Sequence, residues 1–509
     1  MSIAYDADAS PTARSVGYRK TAISGAVVTG AGTLAKATLQ VLAIVWLARL
    51  LSPSDFGITA MVFPLIAFAT IFQEAGLGLA VLQRQNITNE ELSTVFWTNA
   101  AIGAVMGGLL VLVSPLIAAF YSEPRVAALT AASGALVFLG GLSSQHIALL
   151  NREMAFNKLA LMDVLSLTIG TALALSVAFL FGSYWAIFLL SFGTTASMCA
   201  VAWLLSGWRP GRRAPLRQVV DVLKFGGNIT LSNLATYFGR NLDKILIGRA
   251  WGTVALGFYE RAYKVVLLPI LFVHMPLFRL AVPMLSQSRT DPLRYRRIFI
   301  LAYQLSLLIA VPGTVLLIAG TSEIVRIVLG NQWVSGAPIF AWLAVATLGQ
   351  LATGPLTMIF VSQDRSREAM ISSVVSSLYS SIAFAIGLPW GAVGVAIAFA
   401  ASELIRTPIV LWYATRSGPV TFRDLSTALL PFGVAAIAAM IGVRWLGAGL
   451  AGSHDVLFLA AVGAGAYAIT LVCLLMNQVS RDFLLELAQG AKALIRRQRL
   501  AEVASAGRS

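Results

Sequence analysis

Between Arg240 and Pro269 the chain reads RNLDKILIGRAWGTVALGFYERAYKVVLLP, a stretch that contains Arg240, Asp243, Lys244, Arg249, Glu260, Arg261 and Lys264. Five bases against two acids leave a surplus of positive charge, which suits the binding of an anion. The surroundings are strongly apolar. A charge at the centre of a bilayer costs at least about 2.5–3.5 kcal/mol on insertion scales, so charged residues there face a cavity or a partner. On a helix Arg240 and Lys244 are four apart and share a face, with Asp243 beside them; Arg261 and Lys264, three apart, do the same on the returning helix. At 1.5 Å per residue, Arg240 stands about 12 Å and Lys264 about 15 Å from the turn between their helices, so the two pairs reach similar depth. Internal pairing is the competing reading. Glu260 and Lys264 form a favourable i,i+4 pair, and Asp243 is placed to neutralise Arg240 or Arg249.

The elements that must position these residues follow from composition. The chain has 509 residues, 58% hydrophobic and 12% charged, with mean hydropathy +0.81. A soluble protein carries about a quarter of its residues charged. Apolar runs long enough to span a bilayer recur from end to end, which indicates an all-α polytopic membrane protein. The short alternating segments of a membrane β-barrel are not evident. The polar N-terminus, MSIAYDADASPTARSVGYRK, lacks the apolar core and small-residue site of a cleaved signal peptide.

Apolar runs of about 20 residues predict about fourteen helices, near 21–48, 56–83, 92–118, 126–149, 158–180, 184–205, 226–248, 254–282, 296–320, 335–361, 367–388, 391–415, 425–446 and 456–476. The organisation predicted is a cytoplasmic segment 1–20, an N-lobe of six helices over 21–205 and a basic cytoplasmic linker over 206–225. A C-lobe of six helices over 226–415, two further helices over 425–476 and a basic cytoplasmic tail over 477–509 complete it. With the N-terminus cytoplasmic, 25 of the 37 Lys and Arg residues fall in cytoplasmic segments and 7 inside spans. The opposite side keeps 5: Arg49, Arg125, Arg249, Arg326 and Arg444. That asymmetry orients the chain with both ends in the cytoplasm. It also accounts for the net charge of +15 without nucleic acid.

A repeat strengthens the two-lobe reading. Arg49-Leu-Leu-Ser-Pro-Ser-Asp-Phe-Gly57 and Arg249-Ala-Trp-Gly-Thr-Val-Ala-Leu-Gly257 occupy the same helix-turn-helix position, 200 residues apart. Phe181-Gly182-Ser183-Tyr184-Trp185-Ala186 has a looser counterpart in Pro389-Trp390-Gly391-Ala392-Val393-Gly394. Parallel repeats about an axis along the membrane normal are a transporter plan with the site between the halves.

Three segments carry a family resemblance: LARLLSPSDFGITAMVFPLIAFATIFQEAGLGLAVLQR (47–84), NITNEELSTVFWTN (86–99) and DKILIGRAWGTVALGFYERAYKV (243–265). They resemble Wzx-type polysaccharide flippases of the multidrug/oligosaccharidyl-lipid/polysaccharide exporter superfamily, most of all the exopolysaccharide branch that serves colanic acid, succinoglycan and xanthan. The resemblance extends over most of the chain. It implies a fourteen-helix, two-lobed exporter in the bacterial inner membrane. Such an exporter moves an undecaprenyl-pyrophosphate-linked oligosaccharide from the cytoplasmic to the periplasmic leaflet by alternating access, alongside polymerase and export machinery. A pyrophosphate is the kind of anion that several cationic donors in a low-dielectric cleft would hold.

The candidate substrate-cavity residues are then Lys36, Arg49, Arg240, Lys244, Arg249, Arg261 and Lys264. Lys36 has no acid nearby in sequence and either lines the cavity or pairs with Glu74. Glu74, Asp243, Glu260 and Glu403 are candidate coupling or pairing acids, with Arg406 a partner for Glu403 at three residues' spacing. No catalytic set, phosphate-binding loop or metal motif is present in the sequence, and Cys199 and Cys473 lie far apart in separate apolar runs. No enzyme activity and no cofactor are expected. The competing readings are a lipid II or drug exporter of the same superfamily and, from a different class, a membrane polysaccharide polymerase or ligase. A drug exporter would have an acidic cavity, and a polymerase a sizeable periplasmic loop.

Overall fold

The computed structural model describes the backbone of residues 11–74, 87–450, 455–476 and 481. Side chains are described for these except residues 11–29, 31, 73–74, 216–232, 235–236, 240, 269, 271–272, 275 and 444–450. The end of the predicted helix 56–83 and, apart from Arg481, the basic tail 477–509 lie outside the described residues.

Helices dominate. They run α1 Pro11–Leu50, α2 Pro53–Glu74, α3 Asn89–Tyr121, α4 Arg125–Arg152, α5 Phe156–Phe181 and α6 Trp185–Ser206. The run Leu216–Gln287 is broken at Gly252, whose φ of 75° and ψ of −169° are not helical. It therefore comprises two helices, α7 (216–251) and α8 (253–287). Then follow α9 Pro292–Ala319, α10 Thr321–Val328, a 3₁₀ turn Asn331–Gly336, α11 Ala337–Thr353, α12 Leu356–Ser362 and α13 Ser366–Gly387. A second 3₁₀ turn, Leu388–Trp390, leads to α14 Gly391–Thr415, α15 Phe422–Leu450 and α16 Asp455–Met476. Over the described residues, each of the fourteen predicted windows falls on helical structure. Window 335–361 is divided between α11 and α12 at Gly354-Pro355, where the proline ring removes a backbone donor. Among the described residues eleven segments are long and apolar enough to cross a membrane. Large apolar side chains such as Leu112, Phe179, Leu430 and Met476 are exposed along them, as lipid-facing positions require.

The chain divides into two compact units, one of residues 1–237 with 252–257 and one of residues 238–251 with 258–509. In the first unit the helices are drawn together by glycine. A Cβ on Gly107 would stand 2.6 Å from the Gly134 carbonyl oxygen, and one on Gly134 2.5 Å from that of Gly107, so α3 and α4 meet backbone to backbone. Gly170 of α5 and Gly193 of α6 do the same for their pair. Small residues permit this approach where lipid supplies no hydrophobic drive between helices. The α3 N-terminus is closed by a capping box between Thr88 and Glu91. Onto it folds the segment after α6: Trp208 Nε1 donates to Asn89 Oδ1 at 2.6 Å, the Gly211 amide to Ser93 Oγ at 2.9 Å and the Ala214 amide to Thr94 Oγ1 at 2.7 Å. The predicted linker 206–225 is thus an ordered strap up to residue 215 and helical from Leu216.

The first unit also contains the crossing of the repeat. A Cβ on Gly57 would stand 1.7 Å from the Thr253 carbonyl oxygen, and one on Gly257 1.9 Å from that of Pro53. Ser54 Oγ and Thr253 Oγ1 are hydrogen-bonded at 3.0 Å. Residues 53–57 and 253–257 contact each other reciprocally across this crossing, at the spacing of 200 on which the repeat was read.

In the second unit a core that includes Phe299, Tyr303, Leu307, Phe360, Leu425 and Phe432 gathers α8, α9, α11, α12, α14, α15 and α16. Gly349 of α11 sits against the Glu403 backbone of α14, and Gly387 of α13 against Gly394 of α14. Trp251, just before the break, donates from Nε1 to the Leu388 carbonyl at 2.8 Å and lies against Gly391. Gly391, at φ 76° and ψ −168°, repeats the Gly252 conformation. A left-handed φ with extended ψ is open to glycine and strained for other residues.

Candidate functional site

A hairpin of two helices with one glycine at the bend returns the chain along itself, so residues equidistant from Gly252 meet. Lys244 precedes it by eight residues and Glu260 follows it by eight, and their side chains meet. Glu260 Oε1 accepts from Lys264 Nζ at 2.9 Å, and Glu260 Oε2 lies 3.4 Å from Lys244 Nζ. One carboxylate thus pairs with an ammonium group from each helix: Lys264 of α8 at hydrogen-bond distance on Oε1, and Lys244 of α7 as a looser ion pair on Oε2, which accepts no hydrogen bond. Arg261, 4% exposed, acts electrostatically on the same carboxylate. Asp243, 3% exposed, has Lys244 and the Tyr259 hydroxyl for neighbours. The Tyr263 ring lies under Lys244 Nζ at 5.8 Å and stacks on Tyr259 at 6.4 Å. Three cations and two carboxylates leave this cluster with one net positive charge. It opens on one side: the Lys264 side chain is 41% exposed, that of Lys244 15% and that of Glu260 4%.

Of the residues predicted from sequence, the structure brings Asp243, Lys244, Glu260, Arg261 and Lys264 into one cluster. Arg49 and Arg249 are exposed at the ends of α1 and α7, in equivalent places of the two repeat copies. The side chains of Arg240 and Glu74 lie outside the described residues. Lys36 pairs with Asp163 of α5 at 3.0 Å, an acid 127 residues away and not Glu74 of the second helix. Glu403 is 2% exposed and accepts from Arg406 Nη2 on both oxygens, at 2.7 and 2.6 Å, while Arg406 Nη1 also donates to Ser376. That pair lies within α13 and α14, with the Arg406 Nη atoms engaged and its buried Nε without a hydrogen-bond partner. Tyr259 and Tyr263 were not singled out from sequence. Their spacing of four, on the face next to Glu260 and Lys264, was the available signal.

Positions 200 residues earlier supply an internal control. Asp243, Glu260 and Arg261 correspond to Ala43, Ala60 and Met61, which are 2%, 0% and 0% exposed. The first hairpin buries the same places with apolar side chains.

The family model described as "Polysaccharide biosynthesis protein" matches residues 46–338. The chain is 25% identical over 396 residues to the teichuronic acid biosynthesis protein TuaB of Bacillus subtilis, covering 77% of this chain and 82% of that protein. It is 25% identical over 425 residues to the lipopolysaccharide biosynthesis protein WzxC of Escherichia coli, covering 81% and 85%. The lipid II flippase MurJ, solved in an inward closed conformation, superposes with a TM-score of 0.70 at 15% identity, over 89% of this chain and 100% of that one. At that identity the likeness shows a shared fold.

Proposed function

The chain belongs to the polysaccharide biosynthesis protein family, and from that membership we propose that it is a flippase. Its cargo would be an undecaprenyl-pyrophosphate-linked oligosaccharide, carried from the cytoplasmic to the periplasmic leaflet of a bacterial inner membrane for exopolysaccharide or lipopolysaccharide synthesis. The observation that carries the reading is the Lys244–Glu260–Lys264 cluster with Arg261 beside it. A lipid-linked sugar presents one strongly anionic group, its pyrophosphate, and buried guanidinium and ammonium donors in a low-dielectric setting answer it. Charge-free sugars vary between polymers, whereas the pyrophosphate does not. A cationic cluster therefore serves the invariant part of the cargo.

The driving force follows from the same charge. A membrane negative inside favours outward movement of an anion by about 2.3 kcal/mol per charge per 100 mV crossed. With the excess of Lys and Arg on the side of both termini, those termini are cytoplasmic, and alternating access moves the headgroup down that potential. The oligosaccharide then passes to a polymerase and export machinery on the periplasmic side. The fold shared with a lipid II flippase favours one second reading, lipid II export, since that cargo bears the same carrier and pyrophosphate.

The test is complementation of a flippase-deficient polysaccharide producer, with membrane abundance measured in parallel. Lys264→Met and Arg261→Ala are expected to insert normally and to abolish polymer. Full polymer yield from both variants would sink the site. Lipid analysis of a deletion strain separates the cargoes: accumulated repeat-unit lipid supports the first reading, accumulated lipid II the second.

A further inference from the structure

An acid at the centre of an anion site calls for a reason, because it opposes the cargo's charge. Glu260 is 3% exposed and is the residue on which Lys244 and Lys264 converge. Were its task only to fasten α7 to α8, the first hairpin would need a counterpart. It has Ala60 there, 0% exposed, and turns back just as tightly. Were the site built only for tight binding, the carboxylate would be absent, since three free cations attract a pyrophosphate more strongly than three cations shared with a carboxylate.

Resting on the reading of this cluster as the pyrophosphate site, we propose that Glu260 is its internal counter-ion. In the unloaded protein its two oxygens occupy Lys244 and Lys264. When a headgroup arrives, the phosphoryl oxygens compete with the carboxylate for those ammonium protons. When the headgroup departs, Glu260 reclaims them. No covalent bond changes; the exchange is of ion-pair partners. Lys264, the more exposed of the two lysines and the closer to the carboxylate, is the first that a headgroup reaches, and Lys244 lies deeper, over the Tyr263 ring. A transporter must release what it binds. Glu260 sets that balance as a positioning residue, weakening the hold on the anion enough for it to leave.

The probe is inorganic pyrophosphate, titrated at low ionic strength into the purified full-length protein in detergent and followed by tryptophan fluorescence. Glu260→Gln is expected to tighten binding by about tenfold or more, since one carboxylate's repulsion is removed at short range, while polymer export in cells falls because release slows. Lys264→Met weakens binding by a comparable factor. Glu260→Asp, which keeps the charge, stays near the wild-type affinity. The double variant Glu260→Gln/Lys264→Gln removes one charge of each sign and also returns to about the wild-type value. It decides the matter if Glu260→Gln alone does not fold. Unchanged or weaker binding by a cooperatively folded Glu260→Gln protein overturns the inference, as does a double variant that binds as poorly as Lys264→Met. Failure of the wild type to bind pyrophosphate overturns the site assignment and this inference together. Weakening by Lys264→Met without tightening by Glu260→Gln leaves the site standing and removes only the counter-ion role.

Discussion

Gly57→Ala is the sharpest test of the crossing between residues 53–57 and 253–257. The added methyl carbon would stand 1.7 Å from the Thr253 carbonyl oxygen, so the two backbones must part by about 1.3 Å to reach even 3.0 Å. No side chain can swing aside, because the obstacle is main chain. Parting also stretches the Ser54–Thr253 hydroxyl bond, 3.0 Å long. Overpacking costs about 1–3 kcal/mol and the lost hydrogen bond about 0.5–1.5 kcal/mol, giving a destabilisation of about 1.5–4.5 kcal/mol. Gly257→Ala meets the Pro53 carbonyl oxygen at 1.9 Å and should cost as much. The double variant should cost less than the sum, since one methyl already separates the segments that the other would press on. Gly108→Ala is the control: an added carbon there finds no atom within 4 Å, and alanine is the better helix former by about 1 kcal/mol. The assay is thermal unfolding of the full-length protein in detergent. The reasoning is refuted if Gly57→Ala unfolds at the same temperature as Gly108→Ala.

Other outcomes follow from individual ion pairs. Glu403→Gln leaves Arg406 buried without its carboxylate and should destabilise by about 3–5 kcal/mol, whereas Glu403→Leu/Arg406→Met should recover most of that loss in the same unfolding assay. The Lys36–Asp163 pair has side chains 44% and 38% exposed within a span; facing a water-filled cavity, it should give a coupling of about 1 kcal/mol or less in a double-mutant cycle. Loss of export from Lys36→Met with so small a coupling would mark Lys36 as a cargo contact rather than half of a structural pair. In the turn before α4, hydrogen bonds from Arg125 hold the Glu123 carboxyl below the usual carboxylate range. Its contribution is therefore present above the ordinary carboxylate pKa and is lost as pH falls through the depressed folded value. The small stability difference between wild type and Glu123→Gln at about pH 7 should accordingly shrink as pH falls below the ordinary carboxylate range and vanish once pH lies below the depressed folded value.

The helices were legible because a membrane imposes one length on apolar runs, and polar breaks separate them. Helix α10 was missed for the converse reason: at eight residues, with Glu323 and Arg326 within it, it fails any search for a spanning segment. It lies between two that pass. The strap over 207–215 could not be foreseen, because its order comes from Ser93, Thr94 and Asn89, more than a hundred residues earlier. Asp163 as the partner of Lys36 lies 127 residues away, beyond any argument from helical spacing. The Lys244–Glu260–Lys264 cluster was within reach because its members are neighbours in sequence. A reversal at Gly252 places positions 244 and 260 opposite one another whatever the rest of the chain does. The contact of Gly57 with Thr253 was half visible. Equal Arg-to-Gly spacings showed that the two turns correspond, but equivalence in a repeat does not say that the copies touch.

The two hairpins together separate what the fold needs from what the function needs. Both turn back at equivalent residues, Ser52 and Gly252, and both bury the positions that flank the turn. In the first, Ala43, Ala60 and Met61 fill those positions; in the second they are Asp243, Glu260 and Arg261. Each buried ion carries a desolvation penalty of several kcal/mol, and well-packed apolar residues of similar volume usually stabilise as well or better. The first hairpin shows that this chain can build the apolar version. Stability alone would therefore have left both copies uncharged. The ions of the second hairpin are held against that penalty, with a net positive charge and one half-exposed lysine, and the proposed anionic headgroup would supply the reason.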